Sequence, residues 1–264
     1  MNLPSVSSIF IYPVKGLSGI ELNSCKVLTE GLENDRRLML VDSNGKFISQ
    51  REHSILSLFK CSIKDAILKV EFKDSDLDIS LMENLNYLTP VSVWNSKLKA
   101  SQYQSHINEW FSDHLNQKCN LVKLDSNHRR FKRLFVPPFS TYVSFADGYP
   151  ILLLSEASMA LLNSKLEKQL LIDRFRANII INNCEAHEED EYGRYRIGDV
   201  EFKNIKPCAR CIVTTIDQQT AERSPEPLKT LSSYRKKGNK IFFGVNSICL
   251  KEGIIQKDNI LEFK

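Results

Sequence analysis

Short β-rich runs, each closed off by turn residues, recur along this chain and limit what it can fold into. Ile9-Phe10-Ile11-Tyr12 is stopped by Pro13. Leu38 to Val41 and Lys46 to Ile48 flank Asp42-Ser43-Asn44-Gly45, an Asn-Gly hairpin signal whose turn needs positive φ. Ile67 to Phe72 alternates, with Ile67, Val70 and Phe72 as candidate inward positions, and Val91 to Trp94 adds a further strand. The period then changes. Ile107, Trp110, Phe111 and Leu115 fall at helical spacing, which predicts an amphipathic helix from about Ser105 to Leu115. The basic, proline-containing stretch from Leu124 to Ser140 is the candidate connection between two domains, residues 1–122 and residues 123–264.

The second part is mixed. Pro150 to Leu154 reads as a buried strand, and Ser155 as the N-cap of a helix with Glu156 in its first turn. Met159, Leu162, Leu166 and Leu170 form that helix's apolar stripe. Ile179 to Ile181, Val200 to Ile205, Ile212 to Ile216, Phe242 to Val245, Ile248 to Leu250 and Ile260 to Phe263 read as strands, with Gly198-Asp199 and Gly253 as turns. So many turn-bounded strands with few helices predict a β-rich α+β chain, a barrel with helices at its edge.

Composition narrows the function classes. An excess of 36 Lys+Arg over 32 Asp+Glu gives only +4, too mild to imply a nucleic-acid partner. The local run His128-Arg129-Arg130-Phe131-Lys132-Arg133 reads first as a solvated loop, and second as a docking patch for an acidic redox partner or an anionic cofactor tail. Seven scattered cysteines lack the spacing of a disulfide scaffold and fit reduced thiols in the cytoplasm. Met1 to Lys15 lacks the pattern of a signal peptide, and no run reaches the ~20 apolar residues of a membrane span. A soluble cytoplasmic protein without a membrane partner is therefore expected.

Chemistry concentrates in Pro207-Cys208-Ala209-Arg210-Cys211-Ile212. A thiolate is a soft metal ligand, and an adjacent guanidinium is a fork for phosphate or carboxylate. Together they suggest a metal carried on an anionic organic cofactor. A structural zinc site is disfavoured, because one CxxC stands alone where two are the rule. A thioredoxin-type pair is disfavoured because Ile212 to Ile216 reads as a strand where that chemistry wants a helix start. Two small buried thiols remain the alternative. Further cations come from Tyr12-Pro-Val-Lys15-Gly16, Asp35-Arg36-Arg37 and Arg174-Phe-Arg176-Ala-Asn178; alternation puts Arg174, Arg176 and Asn178 on one face.

These segments occur in a distinctive order. Tyr12 to Gly16, Asp35-Arg36, Ser49-Gln50-Arg51-Glu52, Asp147-Gly148-Tyr149-Pro150 and Leu154 to Ser158 come first. Arg174 to Asn178, Ile197-Gly198-Asp199, Cys208 to Cys211, Pro227 to Leu231 with Tyr234-Arg235, and Phe243-Gly244 follow. The series resembles the MOSC family, in particular the branch of the bacterial YcbX-like proteins and the mitochondrial amidoxime-reducing component, related to the carboxy-terminal domain of molybdenum-cofactor sulfurase. The resemblance covers nearly the whole chain.

That resemblance implies an α+β, β-rich fold: a MOSC β-barrel with peripheral helices, preceded by an N-terminal mixed β/α MOSC-N domain. It implies the molybdenum cofactor (Mo-molybdopterin) with Cys211 as metal ligand and catalytic residue. Asp147 matches an acidic residue near the metal that moves protons. Lys15, Gly16, Arg36, Gly148, Tyr149, Arg176, Asn178, Ala209 and Arg210 match cofactor-holding positions, with Gly148, Tyr149 and Ala209 standing where animal relatives carry hydroxyls. Arg51 and Ser155 take supporting roles, and Cys208 and Cys184 are expected as buried thiols. The implied reaction reduces N-hydroxylated small molecules with electrons from a separate ferredoxin-, cytochrome b5- or flavoprotein-type donor, since no ferredoxin segment follows and no anchor of the mitochondrial kind precedes. A carrier of cofactor or sulfur on Cys211, and a β-rich domain that no longer binds cofactor, are the competing readings. Phe135, Phe139 and Tyr103 are candidates for the substrate mouth, with ordinary packing as the stronger reading.

Overall fold

The computed structural model describes residues 3–124 and 127–263. Sheets dominate. The largest is nine-stranded and runs in the order Leu261–Phe263, Arg194–Ile197, Val200–Ala209, Lys240–Lys251, Ile151–Ser155, Ile179–Asn182, Ser5–Ile11 and Ile20–Leu22, with Lys236–Lys237 paired to Lys240–Lys251. The start of the last strand returns to the first: Leu261 N–H donates to Pro4 O at 2.8 Å and Val6 N–H to Asn259 O at 2.9 Å. Inward side chains of these strands, among them Val6, Ile9, Leu153, Ile179, Tyr195, Phe202 and Val245, form one core.

A second core lies under the N-terminal half. The helix Ser105–Leu115 has the bounds its periodicity predicts, and it buries Ile107, Phe111 and Leu115. It packs near the stacked rings of Phe59 and Phe72, whose centroids are 4.1 Å apart. A three-stranded meander (Lys60–Lys64, Ile67–Phe72, Ser75–Ser80) and the sheet Leu88–Val93, Ser96–Gln102, Cys119–Leu124, Leu38–Asp42, Val14–Lys15 complete this half.

Several expectations change. In Ile67–Phe72 the inward positions are Leu68, Val70 and Phe72, and Ile67 is exposed, because a strand's side chains repeat every second residue. Lys46 and Phe47 make isolated bridges and no strand; Asp42 Oδ1 takes the Asn44 and Lys46 N–H groups, and only Gly45 in that turn has positive φ. The helix after Ser155 ends at Asn163, so Leu166 and Leu170 pack from the following loop. Phe242 to Leu250 belongs to one strand, Lys240–Lys251, and Gly253 opens the strand Gly253–Gln256. The stretch from Leu124 to Ser140 holds half of a hairpin, Arg130–Arg133 with Ser140–Val143. Ile212 to Thr215 is a 3-10 turn, not a strand.

Candidate cofactor-binding cleft

The site grows out of strand ends. Val200–Ala209 follows Lys240–Lys251 to the pair Ala209↔Phe242, with register shifts after Asn204 and Pro207. Such bulges bend a strand and re-aim its side chains. Arg210 N–H still reaches Ile241 O at 2.8 Å, and Cys211 then caps the 3-10 turn in extended conformation (φ −120°, ψ 175°). The thiol thus sits where a strand ends and a helical turn begins.

Four other segments converge on it. Lys15 closes the short strand Val14–Lys15, and its buried ammonium donates to Phe145 O at 2.8 Å and to Asp147. Arg36 and Arg176 both have left-handed backbones (φ 51° and 52°), and their guanidiniums lie over the Tyr12 ring at 4.6 and 4.2 Å. Arg174, Arg176 and Asn178 are not aligned by strand alternation: Arg174 lies in the 3-10 turn Ile172–Phe175 and Arg176 caps it. Arg174 turns away to pair with Asp217 at 2.5 Å, although it still borders the cleft.

The result is a cleft of about 360 Å³. Every residue predicted for the site borders it: Lys15, Gly16, Arg36, Asp147, Gly148, Tyr149, Arg176, Asn178, Ala209, Arg210 and Cys211. Among its described lining residues are eight cations and one carboxylate, a balance that calls for a multiply charged anion. Tyr149 stands between the ammoniums of Lys132 and Lys206, 4.7 and 5.2 Å from its ring. Lys132 is pushed below its ordinary value by partial burial and by Lys206 and Arg130.

Individual donors divide into free and committed. The Asn178 carboxamide oxygen accepts from Leu152 N–H (3.2 Å) and Arg36 Nη1 (3.3 Å), and its nitrogen donates to Phe10 O (3.1 Å). Asn178 therefore orients Arg36, which also donates to Asp35 (2.7 Å) and to Arg176 O (3.0 Å). Arg176 gives one nitrogen to Leu17 O at 2.7 Å, while its Nη2 is buried with no partner among the described residues. Burial lowers this guanidinium to about 10, with Tyr12 pulling the other way. Arg210 donates to Phe175 O (2.6 Å) and to Cys208 Sγ (3.1 Å) and leaves Nε buried without a partner. Buried orphaned guanidinium nitrogens are costly unless a ligand satisfies them.

Arg51 is the residue that sequence reasoning undervalued. Its Nη2 lies 3.2 Å from Cys211 Sγ and 3.2 Å from Asp147 Oδ2, and its guanidinium sits over the Trp94 ring at 4.7 Å. Trp94 Nε1–H donates to Asp147 Oδ1 at 3.1 Å. Arg223 holds the Arg51 carbonyl at 2.8 Å, and Gln50 ties the same loop to Gly16 O at 2.7 Å. Partial desolvation alone would raise the Asp147 carboxyl; Lys15 and Arg51, aided by the Trp94 N–H, outweigh it and hold the group well below the usual carboxylate range. A carboxylate this stabilised holds no proton at neutral pH.

Cys208 and Cys184 are both only partly buried, against expectation; Cys208 borders the cleft beside Arg210, and desolvation raises the Cys184 thiol to about 11. Ser155 is structural: its Oγ accepts Ser158 N–H at 3.0 Å and donates to buried Glu189 at 2.8 Å. Tyr103 lies in the N-terminal core, donating to Ser80 O, and Phe135 and Phe139 are exposed on the hairpin turn, outside the cleft lining.

A strand-rich fold with a cationic cleft closing on one thiol is the architecture these residues define. The MOSC N-terminal beta barrel domain matches residues 3–118 and the MOSC domain residues 140–262. Mitochondrial amidoxime reducing component 2 of Rattus norvegicus is 33% identical over 248 residues, covering 88% of this chain and 72% of its own length. Mitochondrial amidoxime-reducing component 1 of Homo sapiens is 32% identical over 247 residues, with the same two shares of 88% and 72%. Molybdenum cofactor sulfurase of Oryza sativa subsp. japonica is 31% identical over 276 residues, covering 96% of this chain and 33% of its own length, so the chain spans a third of that relative. The chain belongs to the MOSC family.

Proposed function

We propose that the cleft binds the molybdenum cofactor and that the protein reduces N-hydroxylated compounds, amidoximes and hydroxylamines, with electrons from a separate donor protein in a reducing compartment. The observation that carries this reading is the Cys211 thiol held beside Arg51 at the end of a cleft lined by eight cations. Cys211 offers a soft thiolate ligand, and no group of three or more His, Cys, Asp or Glu side chains placed to hold a metal ion is found among the described residues. The orphaned nitrogens of Arg176 and Arg210 are the donors such a cofactor's anionic groups would satisfy.

In this reading Cys211 supplies the protein's soft ligand, and Arg36, Arg176 and Arg210 orient the anionic part. When bound, the cofactor would supply the two-electron chemistry needed to reduce an N–OH group to N–H and water, a reaction that consumes two electrons and two protons. Asp147, ionised at rest, acts as counter-ion to Lys15 and Arg51 and keeps both cations aimed at the cleft. The relatives named as amidoxime-reducing components support the substrate class.

The test uses protein produced in a host that makes the cofactor, with dithionite-reduced methyl viologen as donor and benzamidoxime as substrate. Turnover that is abolished by Cys211→Ser and largely kept by Cys208→Ser is expected; full turnover in the Cys211 variant would sink the assignment. The similarity to a molybdenum cofactor sulfurase over nearly the whole chain favours one second reading, a non-catalytic carrier of cofactor or sulfur on Cys211. A stable adduct of about one sulfur atom on Cys211 with no turnover would establish that reading instead.

A further inference from the structure

The hairpin Arg130–Arg133 with Ser140–Val143 forms a sheet of its own, joined to no other. Its turn, Leu134-Phe135-Val136-Pro137-Pro138-Phe139, is six residues without one polar side chain. Leu134 is buried, but Phe135 is 102%, Phe139 66% and Val136 38% exposed, and Phe131 on the stem is 61% exposed. A contiguous apolar tip in water marks an interaction site.

Two features single out the environment it suits. First, two prolines and two internal bonds thin out the turn's backbone donors and acceptors, and the N–H groups of Phe135, Val136 and Phe139, for which no backbone partner is found among the described residues, can keep water at headgroup depth. Pro137 and Pro138 have no N–H, Leu134 N–H donates to Phe139 O at 2.9 Å, and Pro137 O accepts the Lys203 ammonium at 2.7 Å. Bare backbone polar groups are what keep most loops out of an apolar phase. Second, residues 127–146 hold four Lys or Arg and no Asp or Glu. Arg129 is committed to Glu30, and Arg130 to the carbonyls of Ser144 and Ala146. Arg133 is exposed directly beside the tip, and Lys203 is fixed at Pro137.

We propose that this turn is an interfacial anchor that seats the protein on a membrane surface carrying anionic phospholipid. Phe135, Val136 and Phe139 enter the boundary between headgroups and acyl chains, while Arg133 and Lys203 face lipid phosphates. A bilayer is favoured over a protein partner by charge: the stretch around the tip carries cations and no carboxylate, which matches an anionic headgroup layer. Because Lys132 on the stem also lines the cleft, the anchor sets the mouth of the cleft beside the lipid. No helix among the described residues is long and apolar enough to cross a membrane. A surface-seated hairpin needs none.

The test is co-sedimentation of the whole protein with large vesicles, either pure phosphatidylcholine or phosphatidylcholine with about a third phosphatidylserine. Binding to the anionic vesicles and little to the neutral ones is expected. The double variant Phe135→Ser, Phe139→Ser loses about tenfold or more in partition coefficient. Arg133→Glu weakens binding to anionic vesicles alone, and neither variant changes the melting temperature. The proposal is overturned if the wild type stays in the supernatant with anionic vesicles at low salt, or if the double variant pellets like the wild type. A double variant that keeps vesicle binding and dye-driven turnover but loses turnover with a reduced donor protein also overturns it, and makes the tip a protein-docking surface.

Discussion

Arg51 joins three groups that otherwise have no reason to lie together: the Cys211 thiol, the Asp147 carboxylate and the Trp94 ring. A residue that holds a metal ligand without itself binding the metal typically matters about ten- to a hundredfold in metal affinity or activity. Arg51→Met should lower molybdenum content or turnover by about that factor, and Arg51→Lys should recover part of it, both checked by elemental analysis alongside steady-state kinetics. Asp147 makes a pH-dependent prediction. Its depressed native value means that the ionised carboxylate stabilises the fold above the ordinary carboxyl range of about 4 and loses that contribution as pH falls toward the native value. In calorimetry on ligand-free protein, the melting-temperature margin of wild type over Asp147→Asn should be steady from pH 7 to about 4 and shrink below. A margin that stayed flat into strong acid would remove Asp147 from the ion-pair network. The type of each of these residues was evident in the sequence. The Arg51–Cys211 contact was not, because it joins positions 160 apart through a loop pinned by Gln50 and Arg223.

Elements with a strong period and clean caps were the most legible. Ser105–Leu115 followed its apolar spacing because the N-terminal core packs against the same face that the spacing marks, and Phe111 lies within that buried face. Phe111→Ala should cost about 3–5 kcal/mol in urea unfolding. Ser155 was readable as a cap, but its second bond, to buried Glu189, was not, since that carboxylate arrives from 34 residues away. Ser155→Ala should therefore cost more than the ~1 kcal/mol of a cap alone, about 2–3 kcal/mol, because Glu189 loses a buried partner. A cost under about 1 kcal/mol would show that Glu189 finds another donor. Ile212-Val213-Thr214-Thr215 misled for a physical reason. β-branched residues favour strands only where a neighbouring strand pairs with them. Here Cys211 O accepts the Thr214 N–H at 3.1 Å and Thr214 Oγ1–H at 3.0 Å, and the chain coils instead.

At the scale of the whole molecule, a modest net charge of +4 conceals a cleft with eight cations and one carboxylate. Composition averages over the surface, so it reports solubility and says nothing of where the field is focused. The cleft should accept a small polyanion even without its cofactor. Pyrophosphate at about a hundred times its dissociation constant should stabilise the fold by about 2.7 kcal/mol, seen as a higher melting temperature, and the shift should fade with added salt. No shift at low salt would mean that the cations are satisfied internally. The β-rich class was legible from the turn-bounded runs, whereas the sheet order was not. Ile151–Ser155 pairs with both Lys240–Lys251 and Ile179–Asn182, a long-range arrangement that local patterns do not encode. Together with the pairing of Val14–Lys15 on Leu38–Asp42, it brings Lys15, Arg36, Arg176 and Cys211 from four separate segments to one cleft.

In the proposed function, Cys211 closes a binding site for a metal carried on an anionic pterin. Molybdenum by elemental mass spectrometry, with pterin by fluorescence after oxidation, tests it on protein from a cofactor-competent host. Near-stoichiometric metal and pterin, with the metal lost in Cys211→Ala while the fold persists, is the predicted result. Folded wild-type protein carrying neither would contradict it.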